Sequence, residues 1–219
     1  MNKRKYAFEK EYHREYYGKK AIQYDGLNVF LEDQGAATKV LLNMGIARNK
    51  LVPVSKDSLV KHIRGVKIAR NTIGRILADD IAPNTVWFDY CGDLVGCYER
   101  EGLRVLKPER WVSPLDDIAA FAKKFASSPL YAKVNEIYIL CTTHGRPRRR
   151  ANNARINRHK RVHGISAKEH APSIIIKQFM EQIAIINNIK CIEDSHITGM
   201  YKSQGKTPMY NAGYYLSKV

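Results

Sequence analysis

Short apolar runs alternate with amphipathic stretches over most of the chain. The runs are rich in β-branched and aromatic residues and therefore predict strands, at 27–31, 51–55, 66–69, 86–88 and 135–141. The stretches between them place apolar side chains on one face of a helix, and they predict helices after Asp57 and at 36–44, 72–78 and 114–126. Strands that alternate with helices in this way predict a parallel sheet with helices on both faces.

The C-terminal third departs from this alternation. An apolar helix is predicted at 173–186, and two strand patterns follow at 191–201 and 209–216. The polar segment between these strands contains Gly205 and Pro208, which are typical turn residues. This part of the chain therefore predicts an antiparallel hairpin that closes the sheet.

Residues 3–20 are rich in lysine and arginine and carry aromatic residues four positions apart, at Phe8, Tyr12 and Tyr16. This spacing places the rings on one face of a helix. Two interpretations follow: the aromatic face docks on the domain, which we favour, or it belongs to an arm that stacks on bases and contacts phosphates. We therefore expect a basic N-terminal helix or arm at 1–24 and one α/β domain at 25–219.

Charge identifies the class of partner. The chain has 37 Lys and Arg against 21 Asp and Glu, a formal net charge of +16. A field of this sign attracts polyanions, which are nucleic acids or anionic membrane surfaces. A peripheral membrane protein is disfavoured, because no strongly amphipathic basic helix with a wide apolar face is evident.

A basic insertion at 144–170 supports nucleic acid as the partner. Between 146 and 163 there is no acidic residue, and Asn152, Asn153 and Asn157 are interleaved with the basic ones. Asparagine amides suit polar contacts to backbones and base edges. A solvated charge run is the ordinary alternative. The residues expected to bind nucleic acid, as DNA or RNA, are Arg146, Arg148, Arg149, Arg150, Arg155, Arg158, Lys160 and Arg161.

Several other classes find no support in the sequence. The 4 cysteines form no C-x-x-C pair, and the histidines lack the spacing of a metal site, so we expect no metal. No P-loop or nucleophile-elbow pattern occurs. No apolar run is long enough to span a bilayer, and the N-terminus lacks the apolar stretch of a secretory signal. We therefore expect an intracellular protein.

The stretch from Thr85 to Gly96 is the best candidate for a chemical site. Asp89 and Tyr90 come at the carboxyl end of a strand that is apolar enough to be buried on both faces. In open α/β sheets, ligands bind outside the carboxyl ends of the strands. The alternative is an aspartate that starts a turn beside a tyrosine that packs.

Five alternating units, a helix and a closing hairpin resemble the class I S-adenosylmethionine-dependent methyltransferases over residues 25–217. The resemblance implies a Rossmann-like, doubly wound, mostly parallel sheet with a C-terminal antiparallel hairpin. It also implies S-adenosylmethionine as the cofactor. The piece that matches the cofactor turn is 31–38, which keeps an acid and one glycine but lacks the family's other glycines.

The resemblance also implies positions for the cofactor. Its methionine end would lie near the turn after the first strand, its ribose at the end of the second strand, and its adenine after the third. The corresponding residues are Glu32, Asp33, Gly35 and Thr38 for the methionine end, Ser55 or Asp57 for the ribose hydroxyls, and Asn71 or Thr72 for the adenine.

Family members that methylate base amines carry an acid or amide, two prolines and an aromatic residue after the fourth strand. The segment 89–92 resembles this motif, because Asp89 and Tyr90 are present although the prolines are not. By resemblance, Asp89 accepts a hydrogen bond from the amine and Tyr90 stacks on an extruded or single-stranded base. The function implied is a methyltransferase that acts on DNA or RNA. The alternative is an inactive methyltransferase-like module that only binds nucleic acid. The turn with a single glycine favours the module, whereas the presence of Asp89 and Tyr90 favours the enzyme.

Overall fold

A computed structural model describes residues 3–32, 35–55, 63, 65–90, 97–98, 111–112, 114–144, 161–162, 164–165, 171–202 and 208–219. Helices α1 to α5 are Lys3–Tyr24, Ala36–Asn43, Ile73–Ala78, Pro114–Ser127 and Pro172–Asn187. Strands β1 to β8 are Leu27–Leu31, Leu51–Val54, Pro83–Asp89, Cys97–Tyr98, Trp111–Val112, Glu136–His144, Ile189–Lys202 and Pro208–Lys218. Short 3-10 turns occur at Arg48–Lys50 and Pro129–Tyr131.

The main sheet has 6 strands in the order β2-β1-β3-β6-β8-β7. Strands β1, β2, β3 and β6 are parallel, and β8 runs antiparallel to its neighbours β6 and β7. This arrangement confirms the Rossmann-like, mostly parallel sheet with a closing antiparallel hairpin, which is the class I methyltransferase-like layout. The strand predicted at 66–69 is reduced to two isolated bridges, a parallel one between Val54 and Ala69 and an antiparallel one between Ile63 and Val66.

Strand β3 lies at the centre of the parallel part, between β1 and β6. Its side chains alternate between the two faces of the sheet. Val86 and Phe88 are fully buried on one face, in the cluster with residues of α3, α4 and α5. Trp87 is buried on the other face, in the cluster with residues of α1 and α2. Helices therefore cover both faces of the sheet, as a doubly wound fold requires.

Helix α1 is held against the second face by polar as well as aromatic contacts. The buried hydroxyl of Tyr17 donates to the carbonyl of Val29 at 3.2 Å. The Lys20 ammonium lies 4.8 Å from the ring centroid of Tyr215 and 3.5 Å from the carboxylate of Asp194. Tyr12, in contrast, is 44% exposed. No helix among the described residues combines the length and apolar content needed to cross a bilayer.

Candidate cofactor and acceptor site

The carboxyl edge of the sheet brings together most of the predicted site residues that the structure describes. Glu32 follows β1, Ser55 follows β2, and Asp89 is the last residue of β3. Asn71 and Thr72 follow Ala69, whose bridge to Val54 places them at the same edge. Because these strands are parallel, their carboxyl ends meet where ligands bind in open α/β sheets.

Other predicted residues do not belong to this group. Asp33, Asp57 and the basic residues from Arg146 to Lys160 lie outside the described residues. Arg161 begins a short exposed turn next to Gly164. A Cβ on Gly164 would lie 2.9 Å from Cγ of Gln182, well along α5, so this turn sits beside the body of that helix.

Glu32 organises the turn between β1 and α2. Its carboxylate accepts hydrogen bonds from the backbone N–H of Ala37 at 3.3 Å, from the N–H of Thr38 at 2.8 Å and from the Thr38 hydroxyl at 2.6 Å. Gly35 precedes the helix with φ of 77°, a left-handed conformation that glycine adopts at little cost. Glu32 is only 6% exposed. A buried carboxylate therefore caps the positive end of α2 from within the protein.

This cap limits what the turn can bind. In dinucleotide-binding folds, the N–H groups at the equivalent helix start receive the pyrophosphate. Here two of those groups already donate to Glu32, and the carboxylate would repel a phosphate placed beside it. The turn therefore suits a ligand that presents a positive or neutral group.

Asn71 and Thr72 shape the start of α3. Thr72 is its N-cap, and the Thr72 hydroxyl accepts from the N–H of Arg75 at 3.2 Å. The Asn71 side-chain oxygen accepts from the N–H of Thr72 at 2.9 Å. Ser55 is buried, and its N–H donates to the carbonyl of Ala69 at 3.1 Å. These bonds fix the second and third turns along the carboxyl edge.

Asp89 and Tyr90 lie on opposite faces of the sheet. Tyr90 follows Phe88 on the side of α4, with ring centroids 6.0 Å apart and planes at 15°. Its hydroxyl donates to Asp117 of α4 at 2.6 Å. Asp89 follows Trp87 toward the other face and lies in register with Thr142 of β6. The structure therefore does not bring the Asp89 carboxylate and the Tyr90 ring together on one face.

Asp117 is a site residue that sequence reasoning missed. Its carboxylate lies in the first turn of α4, between the Tyr90 hydroxyl and α3. A Cβ on Gly74 of α3 would come within 2.1 Å of the Asp117 carboxylate, so a larger residue there would displace that carboxylate. The sequence offered one signal, an acid in the first turn of a predicted helix. It offered none for the contact with Tyr90.

Sequence reasoning also missed a series of buried hydrogen bonds beside Asp89. The Trp87 indole N–H donates to the Thr142 hydroxyl at 2.9 Å, and this hydroxyl donates to the side-chain oxygen of Asn211 at 2.7 Å. Asn211 is 1% exposed, and its Nδ2 has no hydrogen-bond partner. The available signal was an asparagine within an otherwise apolar strand pattern. Among the described residues, no group of three or more His, Cys, Asp and Glu side chains could hold a metal ion.

No protein-family model and no curated protein matches the sequence. Among the solved structures that are similar to the chain, two share 12% sequence identity with it. One is the small RNA methyltransferase HEN1, with a TM-score of 0.43 over 94% of this chain and 25% of that one. The other is an S-adenosylmethionine-dependent methyltransferase from Archaeoglobus fulgidus, with a TM-score of 0.40 over 98% of this chain and 100% of that one. The chain thus spans 25% of the HEN1 chain.

Proposed function

We propose that the protein is an S-adenosylmethionine-dependent methyltransferase that acts on nucleic acid. The observation that carries this proposal is the carboxylate of Glu32 inside the β1–α2 turn of a class I methyltransferase-like sheet. In this layout the cofactor binds at the β1–α2 turn. The negative charge of Glu32 in that turn decides which cofactor fits.

The charge of the turn favours S-adenosylmethionine over phosphate-containing cofactors. The methionine end of S-adenosylmethionine is net positive, because its sulfonium and its ammonium together outweigh its one carboxylate. A buried carboxylate attracts such groups, whereas it repels a pyrophosphate. Glu32 and Thr38 would hold the turn in the shape that faces this end, and Ser55 and Asn71 would lie toward the nucleoside. When bound, the cofactor would supply the methyl group.

Asp89 is the residue we assign to the acceptor. It ends the central strand, one strand away from Glu32, and a carboxylate there can accept a hydrogen bond from an amine and orient its nitrogen lone pair. Alignment of a nucleophile with the group it attacks accounts for much of the rate in reactions of this kind. Tyr90 is held by Phe88 and Asp117, so we assign it to the wall of the site rather than to a base-stacking role.

Nucleic acid is the substrate class that the charge supports. Beyond the net charge of +16, helix α1 brings basic residues toward the same edge. Because α1 leads into β1, its last turn lies at the amino edge and its earlier turns lie toward the carboxyl edge. The His13 ring lies 4.3 Å from that of Tyr201, near the carboxyl end of β7. Lys10 and Arg14 flank His13 on this helix.

A module that binds nucleic acid without catalysis is the second candidate. The observation that favours it is again the β1–α2 turn, in which Gly35 is the only glycine between Leu31 and Thr38. A transfer assay separates the two. Tritiated S-adenosylmethionine is incubated with single-stranded RNA and DNA homopolymers, using wild type and Asp89→Ala. Label in the polymer that depends on Asp89 supports the enzyme, whereas tight binding without label supports the module.

A further inference from the structure

Four positions form one row across the carboxyl edge of the sheet. Asp89 of β3 is in register with Thr142 of β6, Thr142 with Asn211 of β8, and Asn211 with Gly199 of β7. The side chains of Asp89, Thr142 and Asn211 share the face of the sheet that also carries Trp87. With neighbouring strands about 4.8 Å apart, Asn211 lies about 10 Å from Asp89.

The hydrogen bonds in this row run from Trp87 through Thr142 to Asn211. The Trp87 indole N–H can only donate, so the Thr142 oxygen accepts from it. The Thr142 hydroxyl then donates to Oδ1 of Asn211. Oδ1 is thus the end of the amide that faces β6. Nδ2, which carries two hydrogen-bond donors, is the end of the amide that does not face Thr142.

The donors that Asn211 presents are unused in the structure. Its Nδ2 has no partner although the residue is 1% exposed, and a buried donor of this kind is rarely left unpaired. On the other side of β8 from Thr142 lies β7. The residue in register there is Gly199, where a Cβ would have no heavy atom within 4 Å. A buried, unpaired donor therefore lies one strand away from open space.

We propose that Asn211 is a specificity residue that donates a hydrogen bond to a carbonyl oxygen on the nucleotide next to the one at Asp89. This inference rests on the proposed function, since it places the reacting base at Asp89. Nδ2 is turned away from Asp89, so it reads a neighbouring nucleotide rather than the reacting one. The space over Gly199 receives that neighbour.

A fixed donor distinguishes keto from amino bases. Uracil and thymine present a carbonyl oxygen where cytosine presents an amine, and an amine cannot accept from Nδ2. Asn211 therefore favours uracil or thymine over cytosine at the neighbouring position. A carboxylate at position 211 keeps the acceptor for Thr142 and replaces the donor by a second acceptor, so Asn211→Asp favours cytosine instead.

The test is fluorescence anisotropy without cofactor, using single-stranded oligonucleotides of about ten nucleotides. Oligo-U is compared with oligo-C, and oligo-dT with oligo-dC, for wild type and Asn211→Asp. The ratio of the two Kd values is taken for each protein, so that the preference of Asp89 and the added negative charge cancel. We expect Asn211→Asp to shift this ratio about tenfold toward cytosine. Asn135→Asp, an exposed change at the amino edge, is the control and should leave the ratio unchanged.

Gly199→Val is the second variant. The position lies in a strand, has no positive φ and has open space at Cβ, so the variant should fold normally. The valine side chain should fill the space over Gly199, weaken oligo-U binding and bring the Kd values for oligo-U and oligo-C together.

An unchanged ratio of these Kd values in a folded Asn211→Asp, or in Gly199→Val, overturns the inference. Absence of any binding by the wild type overturns it as well, together with the choice of nucleic acid as substrate. Whether the protein binds the cofactor is tested separately, by titrating the wild type with S-adenosylhomocysteine.

Discussion

The carboxylate of Glu32 accepts hydrogen bonds from both the backbone N–H and the hydroxyl of Thr38, at 2.8 and 2.6 Å. Both residues are buried, so these bonds form where water competes little. They join the end of β1 to the first turn of α2, and they place a negative charge at the positive end of the helix. The stability of this turn and its preference for a ligand thus depend on the same carboxylate.

Replacing Glu32 by glutamine tests this dependence. The amide keeps the size of the side chain but removes the charge, and a hydrogen bond to a charged group contributes about 1.5–3 kcal/mol. We expect Glu32→Gln to lose about 2 kcal/mol of unfolding free energy, measured by urea denaturation, and to bind S-adenosylhomocysteine at least tenfold more weakly. Thr38→Val removes one bond without touching the charge and should cost about 1 kcal/mol. Equal cofactor affinity in wild type and Glu32→Gln would contradict the assignment.

Asp89→Ala should abolish methyl transfer while leaving the fold and nucleic-acid binding nearly intact. A hydrogen bond to the reacting group acts on the chemical step, and its loss commonly lowers kcat by about a hundredfold or more. Single-turnover transfer and anisotropy on the same substrate separate the two effects. Unfolding of Asp89→Ala, seen by circular dichroism, would instead identify the residue as a structural cap.

Tyr90→Phe should affect stability more than catalysis. The variant keeps the ring on Phe88 but removes the hydroxyl that donates to Asp117, at a cost of about 1 kcal/mol. We expect a lower Tm and a kcat within a factor of about three of wild type. If Tyr90 stacks on the target base, Tyr90→Ala should raise the nucleic-acid Kd far more than the stability loss explains, and that result would restore the base-stacking role.

His13 should make stability depend on pH. Burial lowers the pKa of His13 from 6.5 to about 4. The unfolded chain therefore binds a proton at this residue between pH 6.5 and 4 that the folded chain does not, so stability falls as the pH drops through this range. The loss should approach roughly 3 kcal/mol for this group. His13→Phe keeps an aromatic ring near Tyr201 and should flatten the difference between Tm at pH 6.5 and Tm at pH 4.5. The same difference in Tm between the two pH values in both proteins would exclude His13 as the source of the pH dependence.

Replacing Arg148, Arg149 and Arg150 together by alanine should weaken nucleic-acid binding to all sequences alike. Each phosphate contact contributes about 0.7 to 0.9 to the slope of log Kd against log salt concentration, so the slope should flatten by about two to three. Anisotropy titrations at several salt concentrations measure it. An unchanged slope would show that the segment is only a solvated surface.

Much of the fold could be predicted because the parallel strands are buried on both faces and read as apolar runs. The run at 27–31 coincides with β1, and the run at 135–141 lies almost wholly within β6. The segment at 66–69 was less predictable, since it pairs only through isolated bridges, from Ala69 to Val54 and from Val66 to Ile63.

The site was predictable only in part. The positions of Glu32 and Asp89 follow from where strands end. The contacts of Asp117 and Asn211 could not be predicted, because their partners lie 27 and 69 residues away in the sequence. These contacts depend on helix packing and on strand register. That Asp89 and Tyr90 diverge could have been deduced, since adjacent strand residues face opposite sides.

The cofactor assignment is tested most directly by calorimetric titration of the wild-type protein with S-adenosylhomocysteine and, separately, with NAD. Both ligands contain adenosine, but only NAD carries a pyrophosphate that the Glu32 carboxylate would repel. We predict micromolar binding of S-adenosylhomocysteine and no detectable binding of NAD. Binding of NAD, or no binding of S-adenosylhomocysteine at millimolar concentration, would contradict the assignment of this protein as a methyltransferase.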